Sequence, residues 1–276
     1  MRRGSLGFTA LIGVFAALAA PPGRFAVAQA PADHLNSLRR TVHRFDFDEP
    51  DNLEGVPKYW EPFRPPGFPR FATGQFDGRV GRTAAPSFRL GCEGRNVAYH
   101  YAGPETPVTP NSEYRVSAYM RGDRLVQTRA FLSAHFLDKS RTPIPGTLVR
   151  SRYVGGPNDG DGWARVDLHL GRAPNEARTI GLIAWVVQRA VWDTTPRPDR
   201  FIDRIDVAGG AWFDDITILA LPRVELTVAA PGNVLGPTDE RTLLVTLSDR
   251  EDPSLVGQLV VGAERGGLVA KHTILV

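Results

Sequence analysis

Apolar residues in this chain recur at every second position, and this spacing excludes most helical folds. It is clearest in residues 114–120 and 163–170, where polar and apolar side chains alternate. A period of two is the pattern of a half-buried β-strand, whereas an amphipathic helix needs a period near 3.6. No window shows a sustained helical stripe, so we predict an all-β protein.

The alternating segments are separated by turn residues. The chain holds 28 glycines and 23 prolines among its 276 residues, well above average usage. Seven or more short strands between such turns are typical of an antiparallel β-sandwich. Further segments with the same alternation lie at 87–90, 96–101, 129–138, 179–188 and 211–219.

Residues 60–82 interrupt this pattern with four prolines and several aromatic residues between them. Because proline has no backbone N–H to give to a sheet ladder, we predict a long loop here. Its aromatic side chains then either cover a sheet edge or face a ligand.

The first 28 residues have the three parts of a secretory signal peptide. Arg2 and Arg3 precede an apolar run at 6–20, and small residues follow at 26–28. The run is shorter than the ~20 residues that a membrane-spanning helix needs. We therefore predict a signal peptide at 1–28, with cleavage after Ala19 as the alternative, and a linker at 29–42. The mature protein is then secreted, periplasmic or at the cell surface, without a transmembrane span.

The excess of basic residues belongs to this leader. The chain has 33 Lys and Arg against 30 Asp and Glu, and cleavage after residue 28 removes Arg2, Arg3 and Arg24 but no acidic residue. A mature chain of balanced charge has no net attraction for phosphate backbones, so we predict no binding to nucleic acid. The single cysteine, Cys92, excludes an intrachain disulfide.

The character of the chain changes after Pro222. Four further strand patterns, within 224–228, 242–248, 255–261 and 268–276, occupy the last 55 residues. Four strands make half of an immunoglobulin-like sandwich. We therefore predict that 222–276 form a small immunoglobulin-like β domain. Either it is a small sheet docked on the first domain, or it is the incomplete front of a longer protein with downstream domains.

Several motifs follow one another along residues 43–221. They are Phe45–Glu49 (FDFDE), Trp60, the strands at 87–90 and 114–120, Gly162–Trp163 and Ala211–Ile218 (AWFDDITI). Their order resembles the jelly-roll carbohydrate-binding modules of the galactose-binding-like type, of the kind appended to bacterial glycan-degrading enzymes. The resemblance implies an antiparallel jelly-roll β-sandwich over 43–221 and a polysaccharide or glycan as partner. It also implies a structural calcium ion that ties the first strand to the last.

Asp214 is the candidate metal ligand in the closing strand. On a regular strand Asp214 shares one face with Trp212 and Ile216, and this face is predicted to be the core. A buried carboxylate needs a cation, an arginine or backbone donors. We predict a calcium ion held by Asp48 and Asp214, with an arginine pair or a turn cap for Asp214 as the alternative. Asp215 is expected to face solvent, and Trp163, like Trp212, is expected in the core.

Polar side chains on the outward side of three strands form the predicted glycan site. Sugars are recognised by flat aromatic faces together with planar polar groups, and we expect the three strands to lie side by side as one platform with tryptophan walls. Trp185 has an alternative place under a loop or the second sheet, because its strand is apolar on both faces. The candidate ligand-binding residues are Trp60, Arg115, Tyr119, Arg129, His135, Asp167, Trp185 and Trp192.

These observations favour an exported, non-catalytic glycan-binding module. The alternative is a structural or adhesion β-sandwich of a cell-surface protein, and a glycan hydrolase is the third hypothesis. The sequence contains none of the common hydrolase or nucleotide-binding motifs, and we assign no catalytic residue.

Overall fold

The computed structural model describes residues 12–15, 40–48, 55–69, 74–156, 162–196, 202, 204–221, 223–228, 243–248, 258–265 and 268–275. The chain divides into two compact units, one comprising Thr41–Leu221 and the other Met1–Arg40 with Pro222–Val276. Apart from one short helix, α1 (Arg189–Trp192), all regular elements described are strands, which confirms the all-β prediction.

Sixteen strands are described in chain order. They are β1 (Ile12–Phe15), β2 (Arg40–Phe45), β3 (Trp60–Pro62), β4 (Gly74–Asp77), β5 (Ser87–Gly91), β6 (Val97–Tyr101), β7 (Glu113–Asp123), β8 (Arg129–Leu137), β9 (Val149–Arg150), β10 (Ala164–Arg172), β11 (Thr179–Val187), β12 (Gly210–Leu221), β13 (Arg223–Val228), β14 (Leu243–Ser248), β15 (Gln258–Arg265) and β16 (Leu268–Leu275).

The unit at 41–221 is a sandwich of two sheets. One sheet has the strand order β10-β7-β12-β5-β4, with β2 also paired to β12, and the other has the order β3-β6-β11-β8-β9. Neighbouring strands along both paths run antiparallel. The chain crosses repeatedly from one sheet to the other, as in a jelly roll. The predicted antiparallel β-sandwich is confirmed.

The core lies between the two sheets and follows the alternation of the sequence. On β7, buried and half-exposed residues alternate from Tyr114 to Met120, and both of these end residues are fully buried. On β8, Leu132 and Phe136 are fully buried against the same core. Period-two burial from both sheets is what an aligned sandwich requires.

The proline-rich segment is not the single long loop that we predicted. Trp60–Pro62 and Gly74–Asp77 are the strands β3 and β4, and each lies at the edge of its sheet. An edge strand tolerates proline because one side of its backbone needs no ladder partner. Between them, Phe63 and Phe68 contact the outer face of the β3-β6-β11-β8-β9 sheet.

A bulge in β12 corrects the predicted faces of the closing strand. Asp214 pairs with Tyr119, but the next paired residue is Thr217 with Ser117, so β12 holds one extra residue here. Asp215 lies in the bulge with a positive φ of 47°, a conformation that aspartate adopts more readily than most residues. The extra residue shifts the alternation, so that Phe213 and Ile216 both belong to the core.

Trp212 and Asp214 consequently lie on the outer side of their sheet, where they are covered by neighbouring side chains and loops. The Trp212 ring is flanked by the guanidinium groups of Arg89 and Arg121, and its Nε1 donates to Asp77 at 2.8 Å. The core prediction is therefore wrong for Trp163. Trp212 is buried as expected, but on the outer side of its sheet rather than between the two sheets. Trp163 is half-buried, and the neighbouring Ala164 is the residue that packs against the core.

The described part of the second unit contains five strands in two sheets. β13 and β14 form an antiparallel pair, β15 and β16 form another, and β1 runs parallel to β15. Of the predicted signal peptide, only the residues of β1 are described. Residues 40–42 of the predicted linker belong to strand β2, and the rest of the linker lies outside the described residues. Within the described part of the chain, no helix has the length and apolar character to cross a membrane.

Candidate functional site: two outer faces of the sandwich

The outer face of the β3-β6-β11-β8-β9 sheet carries histidines and aromatic residues in adjacent rows. Residues directly opposite one another on antiparallel strands point to the same side. One row therefore joins Trp185 to Phe131. The next row consists of Ile183 and the residues opposite it on the two neighbouring strands. The third row places Gly181 opposite His135. The alternating residues on these strands are in the core, so all three rows face outward.

Trp185, Phe131, Phe63 and Phe68 form what we call the aromatic cluster. The rings of Trp185 and Phe131 lie parallel with centroids 5.5 Å apart, and Phe63 and Phe68 meet Trp185 edge-on at 5.5 and 5.8 Å. The Trp185 Nε1 donates to Ser133 Oγ at 2.8 Å. The loop that carries both phenylalanines is thus fixed to the sheet.

A cavity of about 290 Å³ lies beside the aromatic cluster, and we call it the imidazole pocket. Residues 179–183 of β11 line it, together with Phe63, the two histidines His100 and His135, and Arg141. Gly181 leaves room for the His135 ring, because a Cβ at this position would lie 2.7 Å from His135 Nε2. The volume is at the lower end for small-ligand sites and suits one sugar ring.

Burial keeps both imidazoles neutral near pH 7. It lowers the pKa of His135, and the nearby His100 lowers it further. Burial also lowers the pKa of His100, although Glu61 opposes this shift. A neutral imidazole offers one N–H donor and one acceptor. Within the described part of the chain, the buried His135 Nδ1 has no hydrogen-bond partner.

Arg141 closes one side of the imidazole pocket. Its guanidinium donates to the backbone carbonyl of Ala102, which joins the turn after β8 to the chain after β6. The pocket therefore combines an apolar strand floor and an aromatic ring with neutral and cationic donors.

The predicted polar platform does not form, because its strands belong to different sheets. Arg115, Tyr119 and Asp167 lie on β7 and β10 at the outer face of one sheet, whereas Arg129 and His135 lie on β8 in the other. Alternation shows which residues of a strand share a face, but it does not show which sheet the strand joins.

The predicted tryptophan walls lie in three different places. Trp60 is in the core against Phe45 and Phe88, so it is not a wall of either outer face. Trp185 belongs to the aromatic cluster. Trp192 lies on α1, where the Arg129 guanidinium covers its ring at 4.5 Å and its Nε1 donates to Gln127.

Five pocket and cluster residues were missed by sequence reasoning. Phe131 is an aromatic residue in an otherwise polar outward row of β8, and this contrast was a usable signal. Phe63 belongs to the aromatic segment 60–82, which was predicted to cover a sheet edge or face a ligand, but it was not named as a site residue. No local pattern marks the other three, whose importance comes from register and loop packing. The missed residues are Phe63, His100, Phe131, Arg141 and Gly181.

On the other face of the sandwich, Asp214 and Asp215 are both buried and fully engaged. The Asp214 oxygens accept the backbone N–H groups of Arg82 and Asp215 at 2.8 and 2.7 Å. Asp215 accepts from the guanidinium groups of Arg44 and Arg82, each at 2.6 Å. The expectation that Asp215 faces solvent is therefore wrong, since the bulge turns it beneath these arginines.

The electrostatics of the two carboxyl groups differ. Burial raises the pKa of Asp214, and its two amide donors only partly offset this. Burial opposes ionisation of Asp215 as well, but the two arginines lower its pKa overall. Asp214 thus has the backbone donors, and Asp215 the arginine partners, that a buried carboxylate needs without a metal.

The donor set for the predicted calcium ion is sparse. Asp48 is exposed, and its charge contributes to the raised pKa of Asp214. Among the residues described, no group of three or more His, Cys, Asp or Glu side chains is arranged to hold a metal. Backbone carbonyls would have to supply most of the ligands, and the calcium site stays a prediction.

The comparisons with known proteins give similarity at the level of structure alone. No protein-family model matches the sequence, and neither does any curated protein. The structural matches include carbohydrate-binding modules, the class of module that the sequence resembles. The matches described below have TM-scores under 0.5.

Three of the similar structures show the range of sequence identity, coverage and TM-score. The CBM22-1 xylan-binding domain of Paenibacillus barcinonensis Xyn10C is 10% identical with a TM-score of 0.40, over 66% of this chain and 95% of its own. The module TmCBM61 in complex with β-1,4-galactotriose is 9% identical with a TM-score of 0.36, over 59% of this chain and 90% of its own. The bacteriophage CBA120 tailspike protein 4 is 12% identical with a TM-score of 0.42, over 59% of this chain and 20% of its own.

Proposed function

We propose that this protein is a non-catalytic glycan-binding module and that the imidazole pocket is its binding site. The observation that carries this proposal is a sugar-sized cavity on the outer face of a sandwich sheet, lined by an aromatic ring and by nitrogen donors. A sugar ring has apolar C–H faces and a rim of hydroxyl groups, so it needs both kinds of partner.

Each part of the imidazole pocket has a role in this proposal. Phe63 supplies an aromatic surface for the C–H face of a sugar. His100 and His135 supply neutral groups that both donate and accept, as hydroxyl groups do. Arg141 supplies a planar set of donors at the rim.

The same lining supports binding over hydrolysis. Glycoside hydrolysis uses a pair of carboxyl groups on either side of the scissile bond. The residues described as lining the imidazole pocket include two histidines and an arginine but no aspartate or glutamate. Hydrolysis would therefore need groups from outside this lining.

The proposal extends to export, calcium and the C-terminal unit. Residues 1–28 act as a signal peptide, so the protein is secreted, periplasmic or at the cell surface. Calcium is bound by Asp48 and Asp214. Residues 222–276 form an immunoglobulin-like β domain, of which the pairs β13–β14 and β15–β16 are parts.

Export makes a direct prediction about the mature N-terminus. Because the small residues at 26–28 suit a signal peptidase, the exported protein should begin near Gln29. N-terminal sequencing of protein from the culture medium or the periplasm tests this. Retention of Arg2 and Arg3 on the exported protein would contradict it.

The binding site is tested with a glycan array and with Gly181→Ala. An added Cβ would lie 2.7 Å from His135 Nε2, so the imidazole must shift from its present position in the pocket lining. We expect a roughly tenfold loss of affinity for the best array ligand, since at least one hydrogen bond is lost. Isothermal titration calorimetry measures this change.

The matched control is Gly78→Ala, because nothing lies within 4 Å of a Cβ at that glycine. It should bind like the wild type. Equal affinities for all three proteins would place the glycan elsewhere. A wild-type protein that binds no array glycan would favour the structural or adhesion alternative.

A further inference from the structure

A second cavity, of about 380 Å³, opens on the outer face of the β10-β7-β12-β5-β4 sheet, away from the imidazole pocket. We call it the arginine basin. Every residue of its lining has a polar side chain, in contrast to the apolar floor of the imidazole pocket. The lining consists of Thr41, Arg44, Arg82, Ser117, Tyr119, Arg165, Asp215 and Thr217.

The arginines of the basin are held in place by neighbouring groups. Arg44 and Arg82 each donate a hydrogen bond from one terminal nitrogen to Asp215, with N···O distances of 2.6 Å. The Arg82 guanidinium also lies 3.5 Å from the centroid of the Tyr119 ring. Arg165 is held by Asp167 at 3.4 Å. The guanidinium groups of Arg44 and Arg82, which these short contacts orient, lose less conformational entropy on binding a ligand than free side chains would.

Positive charge exceeds negative charge in the lining. Three guanidinium groups face one carboxylate, and the arginines keep Asp215 ionised by lowering its pKa against the effect of burial. A guanidinium has five N–H donors, of which the contacts to Asp215 and Asp167 take one terminal nitrogen on each arginine. Donors for an additional anionic group are therefore present.

The remaining lining residues point to a ligand that carries hydroxyl groups as well as charge. Thr41, Ser117, Thr217 and Tyr119 each contribute a hydroxyl group. Free phosphate would accept hydrogen bonds from the arginines and from hydroxyl protons, but it would leave the acceptor side of most of these hydroxyl groups unused. A sugar acid would use both sets, since its planar carboxylate matches the guanidinium fork and its hydroxyl groups match the threonines and serine.

Exposed aspartates near the basin indicate how recognition must work. Asp46 and Asp48 follow β2, and the charge of Asp46 acts on Arg44. These charges weaken any long-range attraction of anions. Binding must therefore come from direct contact with the guanidinium groups rather than from a diffuse positive field.

We propose that the arginine basin binds the carboxylate of a hexuronate residue in an acidic polysaccharide. This is a second glycan site, on the opposite outer face from the imidazole pocket, and it does not depend on that pocket. The two sites would bind different parts of a polysaccharide: the imidazole pocket a neutral sugar ring, and the arginine basin an acidic residue.

The test uses the full chain and trigalacturonate as the probe, with Arg165→Gln as the main variant. The Arg165 side chain is half exposed and Asp167 keeps its second partner, Arg115, at 3.1 Å, so this variant should fold. We expect calorimetry to show binding of trigalacturonate by the wild type. Arg165→Gln should raise Kd by about tenfold or more, as expected for a lost charged hydrogen bond.

Arg172→Gln is the matched control, because Arg172 is an exposed residue of the same strand outside the basin lining. Its Kd should stay within about twofold of the wild type. No binding by the wild type, or equal weakening in both arginine variants, would overturn the proposal. Displacement of trigalacturonate by equimolar phosphate or sulfate would also overturn it, because the basin would then be a simple oxyanion site.

Gly181→Ala separates this proposal from the proposed function. It should lose the neutral glycan of the imidazole pocket and keep trigalacturonate. If Gly181→Ala abolishes trigalacturonate binding while Arg165→Gln preserves it, the acid binds in the imidazole pocket and the assignment to the arginine basin is wrong.

Discussion

Trp185→Ala should lower the free energy of unfolding by about 3–5 kcal/mol. The indole is half-buried on the outer face of β11, yet it contacts three phenylalanine rings and Ser133. Its removal leaves a cavity between β8 and the loop that carries Phe63 and Phe68. Each of the ring contacts is also lost, at about 0.5–1.5 kcal/mol beyond the buried area.

Two measurements show whether this loss reflects packing or ligand contact. Urea denaturation gives the stability of Trp185→Ala, and calorimetry with the best array glycan gives its affinity. Trp185→Phe is the matched control, because it keeps a ring against Phe131 while it loses the bond to Ser133, worth about 1 kcal/mol, and part of the ring contact area. A loss of under 1 kcal/mol for Trp185→Ala, with a clear loss of affinity, would make Trp185 a sugar-stacking residue instead.

The alternative place for Trp185 under a loop was open in the sequence, and the structure shows a loop there. The strand at 179–187 is apolar on both faces, which predicts cover on both sides. The pattern could not show which residues cover Trp185, since Phe63 lies more than a hundred residues earlier in the chain. Only the closed fold brings the two together.

Local periodicity predicted most of the fold because the two faces of each strand are set within a few residues. The inward residues of β7 and β8 are those that alternation selects. What it could not predict was the sheet that each strand joins. Arg115 and His135 both face outward as expected, but they lie on opposite sides of the sandwich.

Register is the second property that a single sequence leaves open. Gly181 and His135 form part of one pocket only because β11 and β8 pair in the observed register. A slip by one residue would turn every side chain of the strand to the opposite face of the sheet. Register is therefore fixed by the whole buried face rather than by any local signal. The bulge at Asp214 and Asp215 is the same kind of effect on a smaller scale.

The largest electrostatic effect is expected at that bulge. Asp215→Asn should lower the free energy of unfolding by about 1–3 kcal/mol at pH 7, because a buried carboxylate with two arginine partners is replaced by an amide. The figure is modest for a double ion pair because Arg44 and Arg82 are 56% and 36% exposed and can be rehydrated. Asparagine is the suitable replacement, since it tolerates the positive φ of this position.

The pH dependence of this difference has a defined sign. The arginines lower the pKa of Asp215 in the folded state, so its stabilisation is present above the ordinary pKa of about 3.9. It is lost as the pH falls through the lowered pKa. Urea denaturation at several pH values should therefore show the wild type and Asp215→Asn converging in acid. A difference that is constant from pH 7 to pH 2 would contradict the ion-pair assignment.

Asp214 should behave in the opposite way unless calcium is bound. Burial raises its pKa, so without a metal its ionised form costs stability above that pKa, and the cost disappears below the ordinary pKa. A bound calcium ion would instead stabilise the ionised form, by about 2.7 kcal/mol at a hundredfold excess over Kd. The melting temperatures of the wild type and Asp214→Ala, each with and without chelator, separate the two cases. A chelator effect on the wild type that vanishes in Asp214→Ala establishes the metal. If neither protein responds, the amide donors and the arginine pair on Asp215 are sufficient to hold β12 to β2 and to the chain before β5.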